Sequence, residues 1–168
     1  MKAMMISLAL AVTSTGLAQA EPKDMPEQAA PVYAYVKAAL ENDLPHFKEA
    51  HTKRALDGYE KMGGISNLFD QVRAMLPRKF KGAKLDEFVF TAERQTHATP
   101  GSPLELDGVY YTVMMTVEKA GGMGVFVEKE DGNWKITLPK YKNLEEYMKK
   151  QKAAADEPAG KAADSGKK

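Results

Sequence analysis

The chain has 168 residues and a mass of 18.5 kDa, with 43% hydrophobic and 28% charged residues, values that suit one soluble globular domain. It has no cysteine, which excludes disulfides, thiol catalysis and thiolate metal sites. Its 24 basic residues nearly balance 23 acidic ones, which argues against nucleic-acid binding by phosphate neutralisation.

The first segment is a leader. Met1-Lys2 gives a positive start, Ala3 to Val12 is an apolar run, and Ala18-Gln19-Ala20 is a small-x-small cleavage pattern. The run is shorter than the ~20 apolar residues a membrane-spanning helix needs. Residues 1–20 are therefore expected to be a signal peptide cut after Ala20, and the protein to be secreted or periplasmic. Lys2 is the only charge in the leader, so its loss leaves a neutral mature chain. No later stretch is apolar enough to cross a membrane, and no integral segment is expected after cleavage.

Residues 21–30, with Pro22 and Pro26, are expected to form a flexible lead-in. A single α+β domain is expected over residues 31–148. Val32, Tyr35, Val36, Ala39 and Leu40 recur at helical spacing after Pro31, a residue suited to a first turn. Asn42-Asp43 ends that helix, and Asp43 can cap a second one holding Phe47, Ala50 and Leu56, up to Gly58. Ser66 or Asn67 caps a third helix, whose stripe is Leu68, Phe69, Val72, Met75 and Leu76 and which Pro77 should close.

After Gly82 the period changes to two. Phe88, Phe90 and Ala92 share one face of a first strand. In the second strand, Val109, Tyr111, Val113, Met115 and Val117 share one face, while Tyr110, Thr112, Met114 and Thr116 share the other. The third strand is expected over Met123–Glu130, with Val117 near Val125 and Met115 near Val127. Asp131-Gly132 is a strong hairpin signal, because a two-residue turn needs positive φ at both positions. It should pair Glu130 with Asn133, Lys129 with Trp134 and Val127 with Ile136, and bury Trp134 against the first helix. Asn143 to Glu146 resembles a capping box opening a last helix with Leu144, Tyr147 and Met148. Residues 149–168 are expected to be a disordered Lys/Ala-rich tail.

The run VYAYVKAALEND (Val32–Asp43) resembles the opening helix of small bacterial secreted domains of the nuclear transport factor 2-like (cystatin-like α+β) superfamily. The hairpin Val125–Ile136, with Asp131-Gly132-Asn133-Trp134-Lys135-Ile136, is similar to their closing strands. The periodicity already gives N-terminal helices packed on a four-stranded antiparallel sheet, plus a C-terminal helix, an α+β arrangement; the resemblance implies that the sheet is curved into a cone around a long helix, with a pocket at the open end. It implies pocket candidates Tyr35, Tyr59, Tyr111, Glu93 and Arg94. The outer sheet face carries Tyr110, Met114 and Phe126, unusually apolar for a solvent side, which points to a homodimer through that face, as the resemblance also implies, or to cover by Tyr147 and Met148 of the last helix.

No residue pattern marks a catalytic site. His46 and His51 are five apart, which turns them to different sides of a helix, so surface histidines are expected rather than a metal site. Met114 and Met115 are adjacent on a strand and point to opposite faces, which argues for packing over copper binding. No cofactor is expected. The leading reading is a non-enzymatic exported module that binds a small apolar ligand or a protein partner. The alternatives are an isomerase or hydratase-like enzyme using the cavity, and a partner-only assembly or inhibitor protein.

Overall fold

The computed structural model describes residues 24–99 and 101–156. The expected signal peptide, and the tail from residue 157 onward, lie outside the described residues. Helix α1 spans Ala30–Glu41, α2 Leu44–Glu49, α3 Lys53–Lys61 and α4 Ile65–Lys79. Four strands follow: β1 Val89–His97, β2 Glu105–Val117, β3 Gly121–Glu130 and β4 Asn133–Ile136. Helix α5, Leu144–Asp156, comes last. The strands form one antiparallel sheet in the order β1-β2-β3-β4. The α+β class is therefore the observed one.

Local chemistry explains the helix boundaries. A short 3₁₀ turn, Glu27–Ala29, leads into α1 with Pro31 in its first turn. Asn42 adopts left-handed geometry at φ 62°, which ends α1, and the Asp43 side chain accepts from the His46 N–H to start α2. The second helix of the sequence reading is in fact two. The chain leaves helical geometry at residues 50–52 because they pair with β4: the Ile136 N–H donates to the Ala50 carbonyl, and the Thr52 N–H donates to the Ile136 carbonyl. Thr52 then caps α3, accepting from the Ala55 N–H at 3.1 Å. Pro77 does not close α4 but sits inside its last turn, since buried Phe80 anchors the end and its N–H reaches the Leu76 carbonyl.

The core lies between the helices and one sheet face. Val32, Tyr35 and Val36 of α1, Phe47 of α2, and Phe69, Val72 and Leu76 of α4 pack with Phe90, Val113, Met115, Val127 and Ile136. The β3–β4 hairpin has the expected register, with Asp131 and Gly132 at φ 52° and 81°. The β2–β3 hairpin does not. Val113 pairs Val125 and Met115 pairs Met123, because Glu118–Ala120 makes a tight connection with Lys119 at φ 61° and β3 begins at Gly121. Trp134 is only half-buried, stacked edge-on against Tyr111 at 5.2 Å and covered by the Lys129 ammonium.

The expected cone is absent: the sheet is flat and does not curl around α1. Bending a sheet into a cone takes bulges or glycine kinks within its strands. Here the ladders pairing Val89–Gln95 with Tyr110–Thr116 and Tyr111–Val117 with Gly121–Val127 run unbroken through Gly122 and Gly124. The one β1–β2 register shift, between Gln95 and His97, and the one kinked glycine inside β2, Gly108 at φ 136°, lie together at the end of the sheet. The resemblance to the nuclear transport factor 2-like and cystatin-like folds is therefore overturned. The motifs that carried it encode a helix stop and a hairpin turn, devices that fix local geometry and leave the sheet's curvature open.

Candidate functional site

The sheet has one covered and one open face. Strand alternation points Thr91 and Glu93 of β1, Thr112, Met114 and Thr116 of β2, and Phe126 of β3 away from the helices. Val89 shares this face and is 60% exposed, and Met114 is 36% exposed. Opposite Met114 and Thr116 stand Gly124 and Gly122. A Cβ on Gly124 would lie 2.9 Å from Met114 Sδ, and one on Gly122 would lie 2.8 Å from Thr116 Cγ2. The two glycines thus let the methionine lie flat along β3, giving a smooth apolar ledge.

One end of this face is closed by a polar network. Arg54 of α3 donates from Nη2 to Glu128 at 2.6 Å and to Thr137 at 2.8 Å, and it also reaches the Tyr110 hydroxyl at 3.3 Å. Thr137 donates to Glu128 at 2.7 Å, and the Lys140 N–H donates to the Tyr110 hydroxyl. The guanidinium also sits over the Tyr110 ring, 5.8 Å from its centre. Tyr110 is consequently buried, and Phe126 is half-buried at 6.4 Å from it. Of the three interface candidates, Met114 is the one the fold leaves open.

The five pocket candidates do not converge. Tyr35 of α1 and Tyr59 of α3 flank His51, with edge-on ring contacts at 5.8 and 5.6 Å. Tyr111 lies on β2 beside Trp134, separated from His51 by Val127 and Ile136, and Glu93 and Arg94 are exposed on β1. His51 was expected at the surface, yet it is 2% exposed. Its Nδ1 pairs with the Phe47 carbonyl at 2.7 Å, and its Nε2 faces the aromatic cluster with no partner. Burial pushes its pKa down to about 4, partly offset by the Phe47 bond. Burial also raises the Tyr35 hydroxyl, with a smaller contribution from Tyr59. The neutral imidazole donates from Nδ1 and is sealed from solvent, so it serves the interior and reaches no substrate. No short-range pattern signalled this burial: the break that turns His51 inward is made by pairing with Ile136 of β4.

An open groove of about 440 Å³ lies elsewhere, between the end of α1 (Lys37, Leu40, Glu41) and residues 83–86. It holds none of the candidate residues and no histidine or tyrosine. Among the described residues no helix is long and apolar enough to cross a membrane. No protein-family model matches this chain, and no curated protein or solved structure matches it either.

Proposed function

We propose that the chain is an exported, non-enzymatic module that binds a protein partner through the outer face of its sheet. The flat ledge of Met114 over Gly122 and Gly124 carries this reading, bordered by Val89, Thr91, Thr112 and Thr116. A half-covered antiparallel sheet ordinarily turns polar residues to water. An apolar strip rimmed by threonines instead suits a partner that offers a flat apolar surface of its own. The polar network at Arg54 fixes α3 at the edge of the strip and so sets where the contact ends. On the helix side Tyr35, Phe47 and Tyr59 pack around His51, which favours a partner on the outer face over a ligand held among these rings.

The test is affinity purification from the native compartment, with wild type and Met114→Lys compared by mass spectrometry. A partner retained by wild type and lost by the variant, at equal thermal stability, is the expected result. Equal retention by both would sink the reading. The intact mass of exported protein tests the address: a mature chain beginning at Glu21 is expected, and retention of residues 1–20 would defeat it.

A further inference from the structure

Among the described residues β1 is an edge strand, with β2 on one side and no strand on the other. Outside its ladder with β2, residues 89–97 make no backbone hydrogen bond among the described residues. Natural edge strands are commonly blunted by proline, lysine, a bulge or brevity. The stretch Val89–Gln95 runs seven residues with no proline, no lysine and an unbroken register, the one shift lying beyond it between Gln95 and His97, and its two charges, Glu93 and Arg94, are of opposite sign. Such an edge offers a row of donors and acceptors to another strand.

We infer that two copies of this chain join edge to edge through β1, antiparallel about a two-fold axis, to make one continuous eight-stranded sheet. The inference rests on the proposed partner-binding role, because it would set two apolar ledges side by side on one platform. The choice of a second copy as occupant comes from the strand itself. A two-fold axis perpendicular to the sheet lies midway between the two strands, and because opposed residues share a face it must be level with a residue that faces its own copy. The regular stretch Val89–Gln95 has Ala92 at its midpoint. Centring the axis there sets Ala92 against its own copy, Thr91 against Glu93, Phe90 against Arg94 and Val89 against Gln95. The smallest side chain of the stretch falls at the axis, and no like charges stand opposite one another. Centring on Glu93 or on Arg94 would oppose two carboxylates or two guanidiniums, which is unfavourable across strands. On the helix side, the aliphatic stem of Arg94 would extend the cover over Phe90, which is already buried.

The register gives a specific experiment. Thr91 is exposed on the outer face, so Thr91→Glu leaves the core untouched. In the dimer it places a carboxylate opposite Glu93 of the second copy, twice by symmetry. Light scattering of the full mature chain should show dimers for wild type and a dissociation constant weakened about tenfold or more for Thr91→Glu. Adding Glu93→Lys should restore the dimer, since each new pair then has opposite charges; a merely structural effect of the first substitution would not be rescued. Met114→Lys should leave the dimer intact while losing the partner, which separates failure of this inference from failure of the proposed function. A wild type that is monomeric at its highest soluble concentration would overturn it. So would a dimer that survives Thr91→Glu, or one that the second substitution does not restore.

Discussion

Protonating His51 would put a charge among Tyr35 of α1, Phe47 of α2 and Tyr59 of α3, none of which carries a compensating anion at neutral pH. Its folded pKa is pushed down to about 4, below its ordinary value of 6.5, so between those values the unfolded chain binds the proton more tightly. Stability from this group is therefore fully present above about pH 6.5 and is lost as pH falls toward 4, on the order of 3 kcal/mol. His46 works in the opposite sense: its bond to Asp43 raises its pKa, so its small, exposed contribution fades as pH rises through that raised value. Urea unfolding at several pH values should show a steeper acid loss for wild type than for His51→Phe, which keeps an aromatic ring and cannot titrate. Parallel pH profiles would rule His51 out as the source. Arg54 is a second residue whose loss should be felt. Arg54→Met leaves Glu128 part-buried without its cation, and a cost of about 1–3 kcal/mol is expected from equilibrium unfolding.

The break between α2 and α3 is held by β4 rather than by its own sequence. Thr52 caps α3, shares a hydrogen bond of 3.2 Å with Thr137, and donates its N–H to Ile136. Thr52→Val keeps the shape and the backbone bond but removes the cap, for an expected loss of about 1–2 kcal/mol. Thr52→Ser should retain most of that stability, and if it behaves like Thr52→Val the hydroxyl is not what holds the break. This element also shows what was readable beforehand. The Asp43 cap, the Asp131-Gly132 turn and the β3–β4 register follow from short-range rules, and each was legible from residues within a few positions. The helix break was not, because its cause is a strand more than eighty residues away. The β2–β3 register was missed for a related reason. The third strand was expected to begin at Met123, whereas Gly121 and Gly122 belong to β3, where Gly122 leaves room for the Thr116 methyl.

At the scale of the molecule, the sheet's curvature was the feature least legible in the sequence. Alternation states which face a side chain takes, and it sorted Val113 and Met115 inward and Met114 outward correctly. Whether the strands then bend depends on the sum of interstrand geometry, which no short motif carries, so a resemblance built on a cap and a hairpin could not reach it. The candidate site suffered in proportion: without a cone, Tyr111, Glu93 and Arg94 have no common cavity to face. The C-terminal helix completes the picture. Its start is tied to the body through Asn143, which accepts from the Glu105 N–H and donates to the Pro103 carbonyl, and through the Lys142 N–H to the Glu105 carbonyl. Beyond that anchor, Leu144 and Met148 are 42% and 59% exposed and Tyr147 is half-buried, so the described side chains of α5 remove little apolar area from water. Its helicity rests chiefly on local terms such as the Glu146–Lys150 pair at 2.7 Å, which are worth tenths of a kcal/mol. A 13-residue helix supported in that way should open far more readily than the sheet. Amide exchange should therefore be fast across Leu144–Asp156 and slow at Val113, Met115 and Val127. A chain ending at Asn143 should melt within a few degrees of the full-length protein, about the shift that ~0.5 kcal/mol produces in a domain of this size. A much larger drop would mean that α5 buries more of the body than its exposed Leu144 and Met148 imply.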